Sequence, residues 1–167
     1  IRLAKEKKEE GYDLLAVGEM GIGNTTTSSA VSSLLLGREI QEMTGRGAGL
    51  TSQGLERKIQ VIREAIRRNR PDPSDSLDVL AKVGGFDLAG LAGVCLGGGV
   101  YGIPVVLDGF ISGAAALAAV RLCPTVREYL IASHVSKEPG MRAILAELEL
   151  EAALDCGLCL GEGTGAL

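Results

Sequence analysis

Short apolar segments that run directly into polar or glycine-rich loops are the feature that most constrains this fold. Three such segments, at residues 13–17, 103–107 and 129–132, are predicted to be buried strands, and a weaker strand is predicted at residues 155–160. Helical patterns separate these segments, and the alternation is typical of an α/β fold with a parallel sheet. We therefore expect a parallel, Rossmann-like sheet flanked by helices.

A carboxylate or hydroxyl side chain follows closely after each predicted strand. In open parallel sheets, ligands bind beyond the carboxyl ends of the strands. We therefore expect a single site at one edge of the sheet. The residues expected there are Glu19, Asp108, Ser136 and Glu162.

Residues 18–25 fit the pattern G-x-x-x-x-G-N-T and precede a predicted helix at residues 25–36. A Walker A loop has lysine where this chain has Asn24, so nucleotide hydrolysis is doubtful. Backbone amides and a helix N-terminus can still bind a phosphate without that lysine. The alternative is a tight turn whose glycines allow close packing of helix and strand.

A second glycine loop, residues 45–49, is another candidate for anion binding through successive amides. Ser52 is a candidate cap for a long helix that reaches about residue 69. Lys58 lies at the edge of the apolar face of this helix, where it could reach a phosphate beside the glycine loops. From spacing alone, a surface lysine is the simpler interpretation, and Arg46 is interpreted as a surface or salt-bridge residue.

Glu162 lies between two glycines after an apolar run, and Glu19 has a similar setting. A carboxylate there would be partly desolvated, which would make it a better base near neutral pH. The alternative is that each carboxylate accepts backbone amide hydrogen bonds and holds its loop. His134 is the only histidine in the chain, and a structural role is expected for it.

The core has to be built largely without aromatic side chains. Glycine supplies 24 of the 167 residues, whereas the chain has two phenylalanines, three tyrosines and no tryptophan. Aliphatic side chains and close backbone packing at glycines must therefore fill the interior. The length suits a single domain over residues 1–167. The net charge of −4 argues against non-specific nucleic-acid binding, which requires a basic surface.

Residues 88–107 carry no charge and are long enough to span a bilayer. The Gly97-Gly98-Gly99 run and Pro104 would interrupt such a helix. We therefore predict a buried helix at residues 87–96, a glycine turn and the strand at residues 103–107, with no membrane association.

Cys156 and Cys159 have CxxC spacing, but a zinc site would need a second pair or several histidines. We therefore expect reduced thiols, no metal site and no cofactor, in a protein of the cytoplasm.

Several longer motifs are spread over almost the whole chain: residues 18–27 (GEMGIGNTTT), 45–50 (GRGAGL), Lys58, 84–86 (GGF), 104–110 (PVVLDGF), 129–134 (YLIASH) and 160–166 (LGEGTGA). Together they resemble the motifs of the nicotinate-nucleotide–dimethylbenzimidazole phosphoribosyltransferases of cobalamin biosynthesis. The resemblance implies transfer of phosphoribose from nicotinate mononucleotide to 5,6-dimethylbenzimidazole. The products would be α-ribazole 5′-phosphate and nicotinate, with inversion at the anomeric carbon.

The resemblance also implies a role for each site residue. Glu162 would be the general base that removes the benzimidazole N–H proton, and Glu19 a second carboxylate that assists. The phosphate would be bound at Gly21, Gly23, Gly47 and Lys58, and the ribose and base at Asp108, Gly109 and Ser136.

The family enzyme is about twice as long, so the resemblance implies a central and catalytic portion that lacks most of the small second domain. It also implies a homodimer. Two alternatives remain at this point: a non-catalytic nucleotide-binding module and, less favoured, a degenerate P-loop NTPase.

Overall fold

A computed structural model describes all residues from 1 to 167. It contains eight α-helices, three short strands and two 3-10 helices. The helices are α1 (Arg2–Glu9), α2 (Asn24–Leu36), α3 (Ile40–Met43), α4 (Ser52–Asn69), α5 (Ser76–Val83), α6 (Phe86–Tyr101), α7 (Phe110–Leu122) and α8 (Met141–Leu148). The 3-10 helices are Pro124–Tyr129 and Thr164–Ala166.

The strands β1 (Leu15–Ala16), β2 (Val105–Leu107) and β3 (Leu130–Ala132) form one parallel sheet in the order β1-β2-β3. Each strand lies within one of the three clearest apolar segments, so the predicted α/β fold with a parallel sheet flanked by helices is confirmed. Because the strands are parallel, the loops after all three of them leave the same edge of the sheet.

Helix α7 lies at the centre of the core. All residues from Ala114 to Ala119 are fully buried, and α2, α5, α6 and α8 all pack on this helix. Its side chains are mostly alanine, so neighbouring helices can approach it closely on every side. Phe110 is the one aromatic residue of the buried core. The predicted shortage of aromatic packing is therefore resolved by an alanine-rich central helix.

The prediction of a glycine turn after residue 96 is wrong, because α6 continues through Gly97, Gly98 and Gly99 to Tyr101. A side chain at Gly97 would overlap Ala4 of α1, and one at Gly98 would overlap Val105 of β2. The glycines therefore let α1 and β2 pack directly on the α6 backbone. This packing overrides the low helix propensity of glycine.

The predicted strand at residues 155–160 is also wrong. The chain forms a single parallel bridge just before this segment, between His134 and Leu154, and Gly157 has a positive φ of 64° that ends any extended run. The predicted cap of α4 is displaced by one residue, because the Thr51 side chain, and not that of Ser52, accepts the hydrogen bond from Gly54 N.

No helix of the structure has both the length and the apolar character that crossing a bilayer requires. The four cysteines are free. Cys95 is buried in α6, and this burial raises the pKa of its thiol to about 12, so it is an unreactive core residue.

Candidate active site

The loops beyond the carboxyl ends of the strands enclose a cleft of about 660 Å³. Its walls bring together residues that are far apart in the sequence, and among them are Glu19, Gly21, Gly47, Asp108, Gly109, Ser136 and Glu162. The four residues predicted from strand ends therefore do line one site, although no strand precedes Glu162.

Asp108, directly after β2, holds the loop that carries Glu162. Its Oδ1 accepts a hydrogen bond from Gly165 N at 2.8 Å, and its Oδ2 accepts one from Gly163 N at 2.9 Å. The side chain is buried, and a carboxylate that accepts two amide N–H bonds there is well satisfied. Asp108, which the resemblance places at the ribose and base, thus holds the third glycine loop with both of its carboxylate oxygens.

Glu162 has a backbone conformation that non-glycine residues rarely adopt. Its φ is +58°, and the flanking Gly161 and Gly163 have φ values of +72° and +83°. A glutamate in the left-handed region costs on the order of 1 kcal/mol relative to glycine and persists where the surroundings enforce it. The side chain is exposed in the cleft, so the desolvation expected at this position is not observed.

Glu19 is the half-buried carboxylate of the cleft. Burial is the largest cause that raises the pKa of Glu19, and the negative charges of Asp87, Asp108 and Glu162 raise it further. The Asn24 amide donates to Glu19 Oε2 and opposes this rise. Glu19 therefore holds its proton more tightly than an exposed glutamate does.

Asn24 occupies the position of the Walker A lysine, but its side chain donates hydrogen bonds to two carboxylates. Its Nδ2 donates one hydrogen bond to Glu19 and a second, at 2.9 Å, to Asp87 Oδ2. Thr25, at the magnesium-binding position of a Walker loop, accepts a hydrogen bond from Lys58. These contacts give the two residues functions other than nucleotide hydrolysis.

Lys58 is buried, so the interpretation of it as a surface lysine is wrong. Its Nζ donates to Thr25 Oγ1 at 2.8 Å and to the Gly45 carbonyl at 3.0 Å. An ammonium group has three donors, so one N–H remains for an anion. Burial lowers the pKa of Lys58, and the negative charge of Glu138 opposes that shift.

The side chain of Glu138 contacts the second glycine loop, residues 45–49. Its Oε1 accepts a hydrogen bond from Gly47 N at 2.9 Å, while Oε2 is buried and accepts none. The amide that the sequence predicts as a phosphate donor is thus bonded to a carboxylate.

The remaining predicted residues lie at the cleft or next to it. Gly109 and Ser136 line the cleft. Gly23 is the N-cap residue directly before α2, with φ at +82°. His134 is buried, with its Nδ1 3.0 Å from Ser133 Oγ and its ring against Gly165, which supports the structural role expected for it.

The sequence predictions missed Asp87 and Glu138. Asp87 directly follows the Gly84-Gly85-Phe86 motif, in the first turn of α6, and Glu138 lies two residues after Ser136. Their position beside a motif or site residue already identified was the sequence signal that could have indicated them.

Known proteins are similar in sequence to this chain over almost its whole length. A family model described as Phosphoribosyltransferase matches residues 1–167. Among curated relatives, a nicotinate-nucleotide–dimethylbenzimidazole phosphoribosyltransferase of Clostridium acetobutylicum is 54% identical over 166 residues, or 99% of this chain and 47% of the relative. One from Roseiflexus sp. is 56% identical over 100% of this chain and 47% of the relative.

A solved structure, that of CobT from Thermus thermophilus, superposes with a TM-score of 0.92 at 46% identity. The match covers 99% of this chain and 49% of that structure. The chain thus spans about half the length of the curated relatives and of the solved structure that it matches.

Proposed function

The chain belongs to the nicotinate-nucleotide–dimethylbenzimidazole phosphoribosyltransferase family, and on that premise we propose that its cleft transfers phosphoribose from nicotinate mononucleotide to 5,6-dimethylbenzimidazole. The products are α-ribazole 5′-phosphate and nicotinate. The transfer belongs to cobalamin biosynthesis, in which it supplies the nucleotide loop.

One observation carries this proposal: a cation and two carboxylates lie at a single cleft. Lys58 donates hydrogen bonds to Thr25 and Gly45, which line the cleft, and Glu19 and Glu162 line it as well. Nicotinate mononucleotide has the complementary charges, with an anionic phosphate and a pyridinium nitrogen bonded to the ribose. A volume of about 660 Å³ is in the range of cavities that bind ligands of this size.

In the proposed reaction, Glu162 removes the proton from one benzimidazole nitrogen, and the other ring nitrogen attacks the anomeric carbon of the ribose. The bond between that carbon and nicotinate breaks, and its electron pair returns to the pyridine nitrogen. Positive charge develops on the ribose in the transition state. The carboxylate of Glu19 stabilises that charge, because it is preorganised in a half-buried site.

The phosphate is proposed to bind to the remaining N–H of Lys58 and to the amide of Gly47. Because Glu138 accepts the Gly47 N–H, the arriving phosphate would compete with this carboxylate for the donor. Gly21 and Gly23, also predicted as phosphate residues, stay part of the proposal, as do Gly109 and Ser136 at the ribose and base. For Asp108 the proposed role is to hold the Glu162 loop, and a direct contact with the ribose is the alternative.

Replacing Lys58 by methionine should weaken the binding of nicotinate mononucleotide about 10- to 100-fold, because a charge-assisted hydrogen bond to the phosphate is lost. Since burial lowers the pKa of Lys58, wild-type affinity should also fall at a lower pH than an ordinary lysine would allow, and the methionine variant should lack this dependence. Calorimetry of the full-length protein from about pH 6 to about pH 10, which brackets the titration of a lysine with a lowered pKa, measures both effects.

Lys82→Met is the matched control, because Lys82 also donates two hydrogen bonds from a helix, but its partners, the Arg70 carbonyl and Asp78, do not line the cleft. Equal affinity in the Lys58→Met and Lys82→Met variants would contradict the phosphate assignment.

The function itself is tested by incubating the full-length protein with both substrates and separating the products by liquid chromatography. Release of nicotinate that depends on benzimidazole and yields α-ribazole 5′-phosphate supports it. The same assay on the 167-residue chain, paired with calorimetry, addresses the alternative of a non-catalytic module. Binding of nicotinate mononucleotide without turnover by both proteins would favour that alternative.

A homodimer, which the family resemblance implies, and a location in the cytoplasm, which the expectation of reduced thiols favours, complete the proposal. Sedimentation velocity of the full-length protein would test the dimer. The net charge of −4 supports the further expectation that nucleic acid is not a partner.

A further inference from the structure

Asp87 is a carboxylate next to the cleft, bonded to the cleft residue Asn24, and the proposed reaction gives it no role. It lies in the first turn of α6 and accepts a hydrogen bond from Asn24 Nδ2 at 2.9 Å. The same nitrogen donates to Glu19 Oε2, so the two N–H groups of one amide join carboxylates from distant parts of the sequence. Because ionised carboxylates are acceptors only, the amide nitrogen has to face both of them.

Two glycines make room for this arrangement. A side chain at Gly21 would come within 2.5 Å of Asn24 Nδ2 and within 2.9 Å of Asp87 Oδ2, and a side chain at Gly85 would come within 2.5 Å of Asp87 Oδ1. Asn24 is 9% exposed, so its amide is shielded from water and its orientation is set by these partners. The N-terminus of α6, where Asp87 lies, favours a negative charge.

We propose that Asp87 is a positioning residue, which holds the Asn24 amide so that the second N–H is aimed at Glu19 and whose charge adds to the negative field of the cleft at the reacting ribose. This inference rests on the proposed function for its catalytic consequence. A lysine at position 24 would bring a positive charge to this pair of carboxylates. Asparagine orders Glu19 and leaves both charges in place.

The groups that face Glu19 come from four parts of the chain. They are Asn24 at the start of α2, Asp87 in α6, Asp108 after β2, and Glu162 in the third glycine loop. Among the three negative neighbours, Asp87 has the largest effect on the pKa of Glu19. Only burial and the Asn24 hydrogen bond affect that pKa more. Removing its charge should therefore make Glu19 easier to deprotonate.

The experiment uses the full-length protein with Asp87→Asn, which keeps an oxygen for the Asn24 amide and removes the charge. The first readout is a carbon-13 NMR titration of glutamate carboxyl groups, with the Glu19 resonance assigned by its loss in Glu19→Gln. The second readout is the pH profile of kcat/KM for nicotinate release.

Both titrations should move to lower pH in Asp87→Asn. At a pH where the wild-type enzyme retains about a tenth of its maximal kcat/KM, the variant should retain about three-fold more of its own maximum. Asn24→Leu, which removes both donors, should lower kcat about 10- to 100-fold with little change in KM, because Glu19 loses its orientation.

Asp78→Asn is the matched control, since Asp78 also lies in the first turn of a helix but is not among the charges that act on Glu19, and it should leave both titrations unchanged. An unchanged Glu19 titration in Asp87→Asn overturns the inference, and so does a shifted Glu19 titration with an unchanged pH profile. If the wild-type protein releases no nicotinate, the proposed function fails by itself. The inference then fails too if the Glu19 titration does not move, and its structural part stands if it does.

Discussion

The full-length protein carrying Glu162→Gln should release nicotinate about 10²- to 10⁴-fold more slowly than the wild type at saturating substrates, which is the usual range for loss of a positioned general base. Glutamine has the shape of glutamate and keeps the backbone of the third glycine loop, but it cannot take up the azole proton. Because the loss concerns the transition state, kcat should fall while the dissociation constant of nicotinate mononucleotide changes little.

A second glutamate with the same backbone conformation provides a close control for Glu162→Gln. Glu149 is also a glutamate with a positive φ, at 53°, and it ends α8 on the surface, where it pairs with Arg127. Glu149→Gln therefore makes the same chemical change in the same backbone conformation outside the cleft. Its turnover should equal that of the wild type. Turnover by Glu162→Gln within about two-fold of this control would remove Glu162 from the role of base.

Exposure of Glu162 in the cleft fits this role. A base has to meet the acceptor nitrogen directly, and the desolvation expected from the sequence would arise when the flat benzimidazole covers the carboxylate. The energetic cost of a left-handed glutamate between two glycines then has a reason, because glycine at this position would relieve the backbone and remove the base.

The sequence was sufficient to predict the sheet edge on which the site lies. The apolar segments that contain β1, β2 and β3 are short and bounded by loops, and parallel strands must present their carboxyl ends together. Glu19 and Asp108 follow β1 and β2 within three residues, so their convergence required no knowledge of the side-chain contacts.

The sequence could not predict how the site residues are held. Asp108 bonds Gly163 and Gly165 across 55 and 57 residues, Asn24 bonds Asp87 across 63, and Gly47 bonds Glu138 across 91. Periodicity and loop spacing describe neighbours within a helix or turn. Hydrogen bonds between separate loops depend on tertiary packing, which these local patterns do not encode.

The predicted end of helix α6 at residue 96 was wrong for a related reason. Each glycine in its interior costs about 1 kcal/mol relative to alanine, so three in succession predict a turn. At Gly97 and Gly98, however, α1 and β2 are packed so closely that side chains would overlap them. Burial of these neighbouring surfaces offsets the poor propensity, and only the folded chain shows which surfaces meet.

Asp108→Ala should reduce kcat about 10²-fold or more, although Asp108 holds the base and need not touch the reacting atoms. The substitution leaves Gly163 N and Gly165 N without their acceptor, so the strained turn at Glu162 loses the contacts that enforce it. Gly18 packs directly on Gly163, so the first glycine loop should loosen as well. Asp155→Asn, at an exposed carboxylate outside the cleft, is the control for general effects of charge removal.

A double-mutant cycle separates the two roles of Asp108 that are compatible with its position. If Asp108 acts through Glu162, then Asp108→Ala should cost little further kcat in a protein that already carries Glu162→Gln, because the base is absent in both. If Asp108 instead binds the ribose, the second substitution should still weaken nicotinate mononucleotide in that background. Both of its oxygens accept amide N–H bonds of the third loop, so we expect non-additive losses in kcat and an unchanged nucleotide affinity. Full additivity, measured with thermal unfolding to confirm that all four proteins are folded, would contradict this role.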